Sequence, residues 1–127
     1  FLMSLRSPLG RARGLGSAKR GVHHWRLQRL TAIALVPLCI WLVSGLICAA
    51  GGSHADAVAW LSQPLSAVAM ILTLLAMFYH SMLGVQVVIE DYVHGEFSKL
   101  ASLVLMKFAH IALAAVSVFS VLKVALA

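Results

Sequence analysis

Residues 64–92 read PLSAVAMILTLLAMFYHSMLGVQVVIEDY, a long apolar run from about Pro64 to Ile89 with one imidazole, His80, near its middle and the pair Asp91-Tyr92 just past its end. A helix of about 20 apolar residues crosses a hydrocarbon layer of roughly 30 Å, so this run is long enough to span a membrane. Two further apolar segments have the same length. One extends from about Leu30 to Ala50 and ends at Gly51-Gly52; the other extends from about Leu103 to Leu126, interrupted by Lys107, His110 and Lys123. The 127 residues are 61% hydrophobic and only 11% charged, with a mean hydropathy of +0.95, which places the chain far from soluble domains. The predicted fold is an all-α membrane protein of three transmembrane helices over residues 30–127, preceded by a basic N-terminal arm over residues 1–29. That length leaves no room for a separate soluble catalytic domain, so any enzymatic chemistry must be shared with other chains. The connections, about Gly51 to Gln63 and Glu90 to Ser102, make consecutive spans antiparallel. Pro64 suits a first helical turn, where a missing N–H costs nothing, while Pro37 is expected to kink the first span. Cys39 and Cys48 lie about 13 Å apart along one helix, too far to bridge, and are expected to pack as small inert residues.

Charge sets the expected orientation. Arg6, Arg11, Arg13, Lys19, Arg20, Arg26 and Arg29 all precede the first span, whereas the loop after it holds Asp56 and no Lys or Arg. The positive-inside rule then keeps the N-terminus in the cytoplasm, or in a mitochondrial matrix, and returns Asp91 and Tyr92 to that inner side. A bacterial cytoplasmic membrane is the expected location. The arm is rich in Arg, Ser and Gly, as a transit peptide is, but it also reads as a topogenic tail or as a tether to anionic lipid or a peripheral partner. Nucleic-acid binding is not expected, because the charge sits beside a span and lacks interleaved aromatic residues.

The second span carries the chemistry. An ionisable group in mid-membrane is costly without a partner. His80, Gly84, Val87 and Asp91 recur at helical spacing on one face, and Gly84 leaves space one turn from the imidazole where a flat ligand could approach. Imidazole ligates haem iron, and the surrounding Leu, Met, Val and Ile would keep a porphyrin dry. One histidine supplies one axial bond, so the second is expected from another chain. His110, His94, His23, His24 and His54 all lie toward span ends or loops. A plainer reading makes His80 a packing histidine hydrogen-bonded to a neighbouring helix or to water. Tyr92 lies about 18 Å further along the axis, near the headgroups. There a phenol can donate to a quinone carbonyl that gains charge on reduction, with Asp91 in the same network. An interfacial tyrosine also serves as a helix anchor, and Asp91 also serves to solvate a helix end.

The stretch His80-Ser-Met-Leu-Gly84-Val-Gln-Val-Val-Ile-Glu-Asp91-Tyr92-Val93 resembles the second-span signature of the SdhD family, the small hydrophobic membrane anchors of succinate dehydrogenase (complex II). A second stretch, Gly21-Val-His-His-Trp25-Arg-Leu-Gln28-Arg29-Leu-Thr31-Ala32, is similar to that family's start of the first span. The three-span layout, length and inferred orientation agree with it, so the resemblance covers nearly the whole chain.

The resemblance implies that His80 is an axial ligand of haem b, and hence of its iron, the haem being shared with an SdhC-type anchor chain. It implies that Arg29 reaches a haem propionate, and that Tyr92 hydrogen-bonds ubiquinone with Asp91 holding the local network. The implied partners are the SdhC-type anchor, an iron–sulfur subunit, a flavoprotein subunit and membrane lipid. Small residues, among them Ser44, Gly45 and Cys48 in the first span and Ala109 and Ala112 in the third, would allow close helix packing against that anchor and between protomers of a higher oligomer. The loop Val93-His94-Gly95-Glu96 departs from the family pattern and leaves His94 a candidate for proton exchange. Two alternatives stay open: the anchor of a related quinol:fumarate reductase, and a non-redox structural membrane subunit.

Overall fold

The computed structural model describes residues 19–127. They form four helices: α1 (Lys19–Ala50), α2 (His54–Ser62), α3 (Pro64–Tyr92) and α4 (Glu96–Leu126). The three long helices are apolar enough to cross a membrane, over Gly21–Ala50, Pro64–Tyr92 and Glu96–Leu126. A long helix satisfies its own backbone, which is what a segment in hydrocarbon requires. The basic arm before residue 19 lies outside the described residues. Residues 19–29 are helical and continuous with the first apolar segment, so Arg26 and Arg29 ride on the same helix as the span.

α1 continues through Pro37 without a break in the helix. α3 begins at Pro64 in its first turn, and Val93 N–H closes its far end on the Ile89 carbonyl at 3.0 Å. α3 lies between α1 and α4 and packs against both. Few side chains are sealed inside: Ser66, Ala67, Thr73 and Leu83 on α3, with Met106 and Val121 on α4. Large apolar side chains such as Leu30, Ile33, Leu65 and Leu105 face outward, as suits a lipid or protein neighbour rather than water. Serine and threonine hydroxyls inside the spans turn back on their own helices, as Thr73 does to the Ala69 carbonyl at 2.7 Å and Ser117 to the Leu113 carbonyl at 2.7 Å. This removes a donor that the hydrocarbon could not solvate.

Two connections differ from the sequence expectation. The segment expected as a loop from Gly51 to Gln63 contains α2, a short helix with a reciprocal cap. Asp56 N–H donates to Ser53 Oγ at 3.2 Å, and Ser53 N–H donates to Asp56 Oδ2 at 2.9 Å. The Ser53-x-x-Asp56 spacing is the signal for that cap. The segment expected as a loop from Glu90 to Ser102 shrinks to Val93-His94-Gly95, because α4 starts at Glu96, seven residues before its apolar stretch. Glu96 suits a first helical turn, and a helix need not stop where hydrocarbon ends.

α2 folds back against the bundle. Its Ser62 hydroxyl donates to the Val124 carbonyl of α4 at 3.4 Å, and its Trp60 ring stacks on Trp41 of α1 with centroids 5.4 Å apart. Gly45 lies directly under Trp60, and a β-carbon there would collide with the ring. Gly45→Ala should therefore unseat Trp60 at a cost of about 1–3 kcal/mol, read as a lowered Tm in detergent and a changed near-UV Trp signal. Backbone and side-chain hydrogen bonds from Ser53 lower the pKa of Asp56 below its ordinary value. The cap is complete above the ordinary carboxylate range and is lost as pH falls through that lowered value. The protection of α2 amides against exchange, relative to the intrinsic rate at each pH, should fall in acid, and Asp56→Asn should abolish that pH step.

Candidate haem and quinone sites

The imidazole of His80 is half-buried and points at α1, where its Nδ1 meets Thr31 Oγ1 at 3.0 Å. Its Nε2 has no hydrogen-bond partner among the described residues. A few residues along each helix, the imidazole of His24 on α1 reaches α3: its Nε2–H donates to the Leu83 carbonyl at 3.2 Å. These two ties pair α1 and α3 antiparallel, His24 with Leu83 and Thr31 with His80. Neither Thr31 nor His24 stands out as a site residue by composition, although both lie in the Gly21–Ala32 stretch singled out above.

One turn along α3 from His80, at Gly84, a cleft of about 470 Å³ opens between α1 and α3, lined by Trp25, Gln28, Arg29, Gly84 and Val87 among others, with His80 and Thr31 outside its lining. Gly84 and Val87 thus share a face with access to Arg29. A β-carbon at Gly84 would come no nearer than 3.9 Å to Gln28 Nε2. The glycine is not demanded by contact between these two helices; it keeps the cleft open. The guanidinium of Arg29 lies over the Trp25 ring, 5.3 Å from its centroid, and is exposed. That contact holds an always-charged group beside the cleft without burying it. Gln28 Oε1 is buried with no partner among the described residues. Such an orphan costs free energy unless a group from outside this chain donates to it.

Asp91 and Tyr92 stand apart from that cleft at the last turn of α3. Tyr92 is 76% exposed, and neither side chain makes a hydrogen bond among the described residues. One turn back, Gln86 donates to Glu90 Oε1 at 3.0 Å. His94 is exposed in the tight α3–α4 turn. His110 differs from His80, because both its ring nitrogens are engaged. Nδ1–H donates to the Met106 carbonyl at 2.9 Å, and Nε2 accepts from Ser81 at 3.1 Å. Its ring also meets Phe78 edge-on at 6.4 Å. It is a tie between α3 and α4.

Among the described residues no three His, Cys, Asp or Glu side chains gather to hold a metal ion. A metal held through His80 must therefore bring most of its own ligands, as a porphyrin does. Gly84, the cleft beside it, the free Nε2 and the adjacent cation fit such a group.

These features define a class: a three-span helical membrane subunit with a half-buried imidazole whose second nitrogen is unused. Residues 3–122 match the model of the family described as succinate dehydrogenase/fumarate reductase transmembrane subunit. The chain is 42% identical over 89 residues to the succinate dehydrogenase hydrophobic membrane anchor subunit of Rickettsia bellii, covering 69% of this chain and 70% of that one. It is 36% identical over 94 residues to the corresponding subunit of Rickettsia conorii, covering 73% and 75%. It is 30% identical over 92 residues to the succinate dehydrogenase membrane anchor subunit of Reclinomonas americana, covering 70% and 77%. No solved structure matches the chain. The chain belongs to the succinate dehydrogenase/fumarate reductase transmembrane subunit family, and it is a multi-pass membrane protein.

His110→Leu tests the distinction between the two span histidines. Because His110 Nε2 ties α4 to Ser81 of α3 while Nδ1 bonds its own helix, the expected loss is about 1–3 kcal/mol of bundle stability, seen as a lowered Tm, with no change in any absorption band that depends on His80.

Proposed function

We propose that this chain is the small membrane anchor of a succinate:quinone oxidoreductase, supplying one axial ligand of haem b and part of the site where ubiquinone is reduced. The observation that carries the haem half is the engagement of His80: one nitrogen is held by α1 and the other has no partner among the described residues, with Gly84 lining a cleft one turn along the same helix. Haem b, when bound, supplies a one-electron redox centre within the membrane. His80 would offer Nε2 to its iron, and Arg29 would hold a propionate at the edge of the cleft, where a guanidinium matches carboxylate geometry. A further ligand to that iron would come from an SdhC-type anchor chain. The unpartnered Gln28 Oε1 calls for a donor from that chain or from water.

The quinone half rests on Tyr92 and Asp91. Reduction of ubiquinone adds two electrons and two protons to its carbonyl oxygens. The Tyr92 O–H, exposed at the end of α3, would donate to one of those oxygens as negative charge develops on it. Asp91, its neighbour, would keep the local hydrogen-bond network and a route for protons. Both electrons would come from an iron–sulfur subunit docked on that side, fed by a flavoprotein subunit that oxidises succinate. The basic residues ahead of the first span favour a cytoplasmic N-terminus in a bacterial inner membrane, which puts Tyr92 on the docking side. Arg26 on α1 is suited to anionic lipid at that surface. The succinate dehydrogenase names of the curated relatives favour quinone reduction over the fumarate reductase direction.

A reduced-minus-oxidised spectrum of the purified complex tests the first half. His80→Leu should remove or displace the b-type band, and an unchanged band rejects His80 as ligand. Tyr92→Phe should keep that band and slow quinone reduction by about tenfold to a hundredfold, in the range of one lost transition-state hydrogen bond. Wild-type quinone kinetics in this variant would count against the phenol.

A further inference from the structure

Thr31 is the polar side chain in contact with His80, and its hydroxyl has a single proton to give. That proton is directed at its own helix, 2.8 Å from the Leu27 carbonyl and 3.1 Å from the Gln28 carbonyl. Carbonyl oxygens only accept. The 3.0 Å contact with His80 must then run the other way, with Nδ1–H donating and Thr31 Oγ1 accepting. The opposite arrangement would point the Thr31 proton at Nδ1 and place the imidazole N–H on Nε2. That N–H would have no hydrogen-bond acceptor among the described residues, an unsatisfied donor within a membrane span. The first arrangement satisfies the hydroxyl, the carbonyl and the imidazole together, and leaves the Nε2 lone pair free.

We propose that Thr31 is the positioning residue for His80: its hydroxyl fixes the Nδ1–H tautomer and the plane of the ring, so that Nε2 is presented as a ligand before any metal group arrives. The inference rests on the haem reading of His80 and names what prepares that ligand. A β-branched threonine is suited to this, because its side-chain rotamer is restricted on a helix and its hydroxyl is further tied to the backbone. The His24 bond to the Leu83 carbonyl holds the register of α1 on α3, which keeps the acceptor opposite the ring. An imidazole that donates from Nδ1 is also a more basic ligand at Nε2, and loss of such a partner weakens metal binding by about 10- to 100-fold. A more basic ligand favours ferric over ferrous iron, so removing the acceptor should raise the haem midpoint potential.

The test uses the assembled complex and three variants at Thr31. Thr31→Val keeps the branched shape and removes the acceptor, while Thr31→Ser keeps the acceptor and removes the methyl group. Thr31→Ala removes both without crowding and stands in should the valine variant fail to assemble. Haem content per anchor chain and the redox titration of the b-type band are the readouts. The valine and alanine variants should lose haem affinity, and their midpoint should rise by about 60 mV, which is a tenfold change at 59 mV per decade for a one-electron couple. Thr31→Ser should match the wild type. An unshifted potential with full haem content in the valine and alanine variants overturns the proposal, and so does a serine variant as impaired as they are, since packing of the methyl group would then be the cause. A wild-type complex without b-type haem overturns the haem reading itself; normal wild-type haem with silent Thr31 variants overturns only the role of Thr31.

Discussion

In a hydrocarbon layer no water is available to a polar atom, so every such atom in these spans needs a partner inside the protein or a neighbour that brings one. That constraint orders the bundle. It makes the backbone helical, turns the hydroxyls of Thr73, Ser117 and Ser120 onto carbonyls of their own helices, and engages both nitrogens of His110, one with the Met106 carbonyl of α4 and one with Ser81 of α3. It also gives the helix packing its specificity. Apolar side chains slide past one another at little cost, whereas His24 on the Leu83 carbonyl and Thr31 on His80 each require one register.

Against that regularity two atoms stand out among the described residues, His80 Nε2 and Gln28 Oε1, and both belong to the α1–α3 pair. One is an imidazole nitrogen in mid-span with no partner among the described residues; the other is a buried acceptor with no donor. Gln28 lines an open cleft rather than a packed seam, and Arg29 and Gly84 stand at the same cleft. A helix pair that had evolved only to pack would fill the space above Gly84, where even a methyl group meets no neighbour closer than 3.9 Å. The sealed interior of the chain is correspondingly small, and large side chains along all three spans face outward. The chain reads as part of a larger membrane assembly, consistent with the family to which it belongs.

The three spans were legible in the sequence because span length and apolarity are one-dimensional properties, counted directly over Leu30–Ala50, Pro64–Ile89 and Leu103–Leu126. Helix ends were less legible, because a helix continues wherever its backbone is satisfied. α4 therefore runs back to Glu96 through Phe97, Ser98 and Lys99, and α1 extends into the basic arm. α2 went unread although Ser53-x-x-Asp56 announces it, since nine residues of mixed polarity carry no strong period of their own. At the site, the spacing of His80, Gly84 and Val87 identified one face of α3. What lies opposite that face depends on how α1 crosses it, which no single segment encodes. Thr31 and His24 could be quoted from the sequence as part of a motif, but their contacts with His80 and Leu83 emerged only from the packing.

The placement of both proposed sites on α3 has a mechanical consequence. His80 and Tyr92 are separated by about 18 Å of continuous helix, so their spacing is set by backbone hydrogen bonds rather than by a loop. α1 braces that helix at His80 and Leu83, and α4 braces it from the other side through Ser81 and His110. Beyond these braces the last turn, with Asp91 and Tyr92, is exposed. A rigid middle and an open end suit a subunit that must hold one group in fixed orientation while a second, diffusing molecule comes and goes. On this reading the short Val93-His94-Gly95 turn limits how far α4 can move from that end, because Val93 N–H bonds the Ile89 carbonyl and Lys99 N–H bonds the Gly95 carbonyl. The access route to Tyr92 is then left to the chains that assemble around this end of the bundle.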